Sequence, residues 1–230
     1  MKVELIKYMS DRLRENDIKE KEPGPVITVS REYGCPGRRI AQKLVEHLTR
    51  KMFVKGRNIE WKYVTKEIMS ESAKELDLHP SKIQYVFQYE QKGLIDDIIA
   101  AQSTKYYKSD RRIRNTIGRV VRNMGIEGNV VIVGRGGVAI TRDIPKSLHI
   151  NLEAPLEWRV LRTSAKFNMS LEQAEKYTLD IDKKRKQFRD YFEGKNTDYT
   201  RFDLTFNCMT LSIDEIVSII LKAVESRNLI

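Results

Sequence analysis

Long apolar runs are missing from this chain of 230 residues. None approaches the roughly 20 residues that a membrane-spanning helix needs, so no membrane association is expected. The opening stretch, MKVELIKYMSDRLREND, lacks the apolar centre of a secretory leader, and the chain is therefore expected to be cytoplasmic. Cysteine is scarce: Cys35 and Cys208 are the whole supply, which excludes a disulfide scaffold. With three scattered histidines they cannot assemble a zinc site, and no metal ligands are assigned. Internal repeats and low-complexity tracts are absent as well.

Basic charge is in excess. Lys and Arg number 42 against 32 Asp and Glu, a formal net charge of +10. Such a balance suits an anionic partner, whether nucleotide, nucleic acid or acidic surface, but it also suits plain solubility. Hydrophobic content of 40% and charged content of 32% fit a globular domain with a heavily charged surface.

The chain is organised around PVITVSREYGCPGRRIAQKLVEHL, residues 25–48. Val26 to Val29 reads as a buried strand. A glycine turn follows from Ser30 to Gly37. Ile40, Ala41, Leu44, Val45 and Leu48 then mark one face of a helix. Strand, glycine turn and helix together aim backbone N–H groups and a positive helix end at one point, where a phosphate is a natural guest. The pattern departs from G-x-x-x-x-G-K-[ST]. Aligned without a gap, Gly37 stands at the lysine position and Arg38 and Arg39 occupy the next two. An ordinary βα turn, with Arg38 and Arg39 merely solvated, remains open on this stretch alone. Two arginines at a helix N-terminus oppose the helix dipole unless an anion meets them, which favours the phosphate site.

Residues 1–24 read as a short amphipathic helix and a linker ending in Pro-Gly-Pro. Its apolar stripe makes a homodimer an expected arrangement. Residues 25–230 form the main domain. A short strand is expected within Ile59 to Val64, then a helix to about Leu76. Further helices are expected over 81–89 and 94–101, and one running to Met124 and ended by Gly125. The tract KYYKSDRRIR, 105–114, interleaves basic and aromatic residues, as single-strand binders do. No further aromatic platform accompanies it, so nucleic acid is disfavoured as a partner.

Val130 to Val133 is a second buried strand, followed by Gly134-Arg135-Gly136-Gly137. An arginine flanked by glycines just past a central strand can bind a phosphate bidentately, or else pair with a carboxylate. Leu148 to Leu152 is a third strand, and a helix from Leu156 carries Arg159 and Arg162 three apart. Ser170 opens another helix through a capping box, along which Arg185 and Arg189 share a face. These two helices suit a lid over a nucleotide, unless they are a solvated basic pair. Phe202 to Asn207 is the last strand, and Ser212 caps the closing helix, which ends in a frayed SRNLI tail. The alternation predicts an α/β fold: a parallel sheet of about five strands with helices on both faces. To it are added a helical insertion at 57–124 and lid helices at 156–192.

ITVSREYGCPGRRIA resembles the ISREYGSGGREIA signature of the cytidylate kinase-like proteins, a bacterial branch of the P-loop nucleoside monophosphate kinases. VIVGRGG from Val131, HINLEAPLEWRVLR from His149, DIDKKRKQF from Asp180 and FDLTFNCMTLSIDEIV from Phe202 are similar to further segments of that family. The resemblance implies a P-loop kinase-like fold, ATP with Mg2+ as the cofactors, and a nucleoside monophosphate as the acceptor. It implies a donor loop containing Ser30, Gly34, Cys35, Gly37, Arg38 and Arg39. It implies catalytic roles for Arg38, Arg39, Arg159, Arg162 and Arg185, and acceptor binding by Gly134, Arg135 and Arg189. Arg38 or Arg39 would stand in for the missing lysine. Two departures accompany it: Cys35-Pro36 replaces Ser-Gly, which removes one N–H from the loop, and no Asp stands beside Arg135. A nucleotide-binding regulator that has lost transfer is the rival expectation.

Overall fold

The computed structural model of the chain describes residues 23–65, 67–80, 110–193 and 201–230. Five strands form one sheet: β1 Val26–Arg31, β2 Lys62–Val64, β3 Val130–Val133, β4 Ser147–Glu153 and β5 Leu204–Asn207. Their order across the sheet is β2-β3-β1-β4-β5, and every pairing is parallel. The described helices are α1 Gly37–Val54, α2 Glu67–Glu75, α3 Asp110–Glu127, α4 Gly137–Thr141, α5 Leu156–Phe167, α6 Leu171–Glu193 and α7 Ile213–Ser226.

Strand periodicity sorts the core into two layers, because successive side chains point to opposite faces. Ile27, Val29, Val131 and Val133 pack with Ile40, Leu44 and Leu48 of α1 and with Ile216 and Ile220 of α7. Val26, Val130 and Ile132 pack on the other face with Ile113, Ile117 and Val121 of α3. Helices thus cover both faces, as a sheet of continuous apolar strands requires. β1 lies at the centre, and Val26, Ile27 and Val29 are fully buried. Burying each such side chain stabilises the fold by about 1.5–3 kcal/mol.

Two boundaries differ from expectation for packing reasons. Gly125 does not end α3. A Cβ there would lie 2.9 Å from Ile144 and 3.0 Å from Thr141, so Gly125 permits close approach of helix and loop. The stop comes at Gly128, whose N–H bonds Met124 O at 3.1 Å. Nor is the C-terminal tail frayed. Asn228 turns left-handed, the Leu229 N–H reaches Val224 O at 3.0 Å, and Leu229 is buried. Both expected capping boxes form, at Ser170 with Gln173 and at Ser212 with Glu215. The expected N-terminal helix, the helices at 81–89 and 94–101 and most of the tract 105–114 lie outside the described residues.

The arrangement fixes where a ligand can sit. After β1 the chain turns to the face covered by α1 and α7. After the adjacent β3 it turns to the opposite face through α4, where Ile140 and Ile144 join the other core. Neighbouring strands that part in this way leave a crevice at their carboxyl ends. No helix among the described residues is long and apolar enough to cross a membrane.

Candidate active site

Two loops meet at that crevice. The first, from Arg31 to Gly37, feeds α1. Pro36 occupies the N-cap of α1 without a side-chain cap, and the first turn holds no acidic residue. The helix end therefore keeps its positive character. The N–H groups of Cys35 and Gly37 are spent within the loop, on Glu32 O at 3.3 Å and Cys35 O at 2.9 Å. Tyr33 N–H goes to Asp182 Oδ1 at 2.7 Å. Pro36 has none. The N–H groups of Gly34, Arg38 and Arg39 take no acceptor among the described residues and remain open to a ligand. The cradle is thus about half of what the loop's length would offer.

The second loop is Gly134-Arg135-Gly136, with φ of 73°, 58° and 69°. Three successive left-handed residues make a tight turn, and for Arg135 that backbone is costly. The turn sets the arginine at the mouth of the crevice, where its Nε donates to Thr65 O at 3.3 Å. Burial, and then the neighbouring Arg185 guanidinium, pull the Arg135 pKa down to about 10.

Helices α5 and α6 close the crevice through arginines. Arg185 Nη1 donates to Arg31 O at 3.2 Å, Arg159 Nη1 to Tyr33 O at 3.2 Å and Arg162 Nε to Gly34 O at 3.3 Å. Three side chains from α5 and α6 thus hold three carbonyls of the first loop. Their situations differ. Arg159 is 5% exposed and also meets Asp182 Oδ2 at 2.6 Å, Glu32 Oε2 at 3.2 Å and Ala154 O at 2.9 Å. Its Nε and Nη1 are thus turned to protein acceptors. Arg162 is exposed and lies over the Trp158 ring at 4.5 Å. Arg185 lies over the Tyr33 ring at 5.2 Å, and burial lowers its pKa.

Two cavities open here. One, of about 500 Å³, runs along the first loop and is lined by Gly34, Cys35, Gly37, Arg38, Arg39 and Arg162, with Lys166 at its edge. The other, of about 250 Å³, is lined by Ser30, Gly134, Arg189 and Lys184 among others. Arg31, Tyr33, Arg135 and Arg185 line both. The structure therefore brings most of the expected site residues together, but sorts them. Ser30 falls on the side of Gly134 and Arg189 rather than with the loop it begins. Arg38 and Arg39 are exposed on the first turn of α1. Arg159 lines neither cavity. Arg31, which sequence reasoning passed over, stands in the wall between the two. Its signal was its place, at the last position of the central strand, where the usual loop has its first glycine. Burial, and then the nearby Arg185 and Arg135, push its pKa well below the ordinary value.

Cys35 sits beside Cys208, and its thiol is pushed up by the hydrogen bond between them and by burial. The residues described around the loop do not by themselves assemble a full set of Mg2+ ligands. Among the described residues no three His, Cys, Asp or Glu side chains gather. Two carboxylates stand at the loop, and both are engaged: Asp182 by Tyr33 and Arg159, Glu32 by Ala154 N–H and Arg159. Mg2+ prefers carboxylate and water oxygens, whereas this wall is guanidinium.

A parallel sheet with a glycine loop feeding an open helix end, and arginines closing over it, defines a kinase-like nucleotide-binding α/β fold. The model of the cytidylate kinase-like family matches residues 26–210, and the chain belongs to that family. No match is found among curated proteins. Among solved structures the chain is similar to an uncharacterized protein from Eubacterium ventriosum ATCC 27560. The two are 20% identical over 88% of this chain and 98% of that one, with a TM-score of 0.60, and share the fold. Shikimate kinase from Bacteroides thetaiotaomicron aligns at 9% identity over 87% and 98% of the chains, with a TM-score of 0.49. Shikimate kinase from Acinetobacter baumannii aligns at 17% identity over 92% and 99%, with a TM-score of 0.47.

Proposed function

We propose that the protein is a phosphotransferase that moves the γ-phosphoryl group of ATP to a nucleoside monophosphate. The observation that carries this reading is the wall of Arg31, Arg135 and Arg185 shared by two cavities. A donor and an acceptor that meet across one set of cations is what phosphoryl transfer requires, since its catalysis is positioning and charge neutralisation.

In this reading the larger cavity takes the donor. Its phosphates lie against the open N–H groups of Gly34, Arg38 and Arg39, with Arg38, Arg39, Arg162 and Lys166 neutralising charge. The smaller cavity takes the acceptor phosphate, held by Arg135, Arg189 and Lys184. An acceptor phosphate oxygen forms a bond to the γ-phosphorus, and the bond from that phosphorus to the β–γ bridging oxygen breaks. The electron pair stays on the ADP formed. The attacking oxygen is already anionic at neutral pH, so no general base is required. Arg159 acts at one remove, fixing the loop through Tyr33 O and Asp182. No step is assigned to a metal.

A panel of nucleoside monophosphates incubated with ATP tests this, with product followed by chromatography and binding by calorimetry. Formation of ADP and a nucleoside diphosphate supports transfer. One feature favours a second reading, a nucleotide-binding regulator: the loop satisfies several of its own amides and lacks the usual lysine. Tight binding of ATP or a monophosphate with no product selects that reading.

A further inference from the structure

We propose that Arg31 performs the phosphate-gripping role that the usual loop gives to a lysine, and that Gly37 is glycine so that the Arg31 stem can cross it. This deepens the proposed function at the same site and rests on that reading.

The geometry converges on one side chain. Gly37 occupies the position at which the common loop carries its lysine. A Cβ on Gly37 would lie 3.3 Å from both Cδ and Cγ of Arg31 and 3.6 Å from its Cβ. The space that a side chain at 37 would use is therefore occupied by the methylene stem of Arg31. Beyond that stem the guanidinium reaches the second loop, where a Cβ on Gly134 would overlap Nη1 of Arg31. Two glycines, past two adjacent strands, thus clear a channel for a single arginine.

The end of that channel offers the guanidinium no carboxylate within pairing distance among the described residues. Among the described residues the Arg31 guanidinium makes no hydrogen bond or ion pair, although its carbonyl accepts from Arg185. Arg185 and Arg135 both crowd it, and the opposing pull of Asp182 is weaker than the push of either. A partly buried cation pressed against two others is costly unless an anion completes the group. Arg31 lines both cavities, so the anion that completes it is the one common to both sides, the phosphoryl group in transit. Arg38 and Arg39 do not fill this role: they project from the exposed first turn of α1 and line the donor cavity alone.

The swap is testable because it is reciprocal. Inorganic pyrophosphate serves as a probe of the grip that needs neither transfer nor a known acceptor. Arg31→Ala is expected to weaken pyrophosphate binding by about 10- to 100-fold, the loss of one or two charge-assisted hydrogen bonds. It is also expected to leave the ligand-free melting temperature equal or raise it by about 2–4 °C, because repulsion is relieved. A merely structural arginine would lower it. Gly37→Lys alone is expected to weaken binding as well, since the new stem meets that of Arg31. The double variant Arg31→Ala/Gly37→Lys is expected to bind within about fivefold of wild type, the lysine having replaced the arginine. The inference is overturned if wild type binds no pyrophosphate, or if Arg31→Ala binds within about twofold of it. It is also overturned if Arg31→Ala melts lower, or if the double variant binds no better than Arg31→Ala. A protein that makes no product yet loses pyrophosphate on Arg31→Ala defeats the kinase reading alone. A working kinase whose Arg31→Ala form still grips pyrophosphate defeats this inference alone.

Discussion

Asp182 accepts the backbone N–H of Tyr33 at 2.7 Å, and its other carboxylate oxygen accepts from Arg159 at 2.6 Å. One acid on α6 therefore fixes both the loop after β1 and the arginine that braces it. Asp182→Ala leaves Arg159 with Glu32 as its remaining ionic partner and a loop amide unpaired. Unfolding free energy is expected to fall by about 2–3 kcal/mol. Asp182→Asn keeps an acceptor for Tyr33 and is expected to lose about half as much. Urea unfolding of the two variants checks the ranking.

Arg159 and Arg162 share a helix and both reach loop carbonyls, yet their burial separates their roles. Arg159→Ala takes the shared cation from Glu32 and Asp182, which keep only their backbone donors and the more distant Arg185, and is expected to cost about 2–3 kcal/mol of stability. Arg162→Ala, at an exposed site, is expected to change stability by no more than about 0.5 kcal/mol. If the proposed transfer holds, Arg162→Ala lowers turnover by about 100-fold, as the loss of one electrostatic donor does. Thermal unfolding beside a coupled assay separates the two.

Gly134→Ala is expected to destabilise the fold by about 1–3 kcal/mol, because its φ of 73° is left-handed. Its methyl group would also overlap Arg31, so nucleotide affinity falls with stability. Gly56→Ala is the control. Gly56 shares a left-handed φ, of 71°, but has open space around it, so it is expected to lose stability without affinity. Calorimetric titration with ATP distinguishes them.

His149 is buried in β4, with Nδ1 2.8 Å from Thr28 Oγ1 and no hydrogen-bond partner for Nε2 among the described residues. Burial lowers its pKa, against the pull of Asp203 and with a smaller push from Arg227. The unfolded chain takes up this proton near pH 6.5, the ordinary histidine value, while the folded one resists it. Stability is therefore expected to be flat above about pH 7 and to fall as pH drops through 6.5 towards the lowered folded value. His149→Gln removes that slope. Melting temperatures at pH 7.5, 6.5 and 5.5 measure it; an unchanged slope in the variant refutes the assignment.

The sheet was legible in the chain because local patterns suffice for it. The apolar runs at Val26 and Val130 become fully covered strands, and the stripe from Ile40 to Leu48 becomes the buried face of α1. Both capping boxes form where Ser170 and Ser212 announce them. Glycine was read less well, because its spelling does not say whether it turns the chain or admits a neighbour. Gly125 looked like a stop and is instead a contact with Thr141 and Ile144.

By itself, then, the order of residues determined the α/β alternation, the glycine turn at the end of β1 and a pair of arginine-bearing helices after β4. Each follows from periodicity, propensity and charge within a few neighbouring positions. What only the tertiary structure decided is which arginine does what. Arg159 is engaged by Asp182 and Glu32, Arg162 stays exposed, and Arg31 threads between Gly37 and Gly134. Those roles depend on which carboxylates and how much room distant segments bring to each guanidinium, and no local pattern carries that.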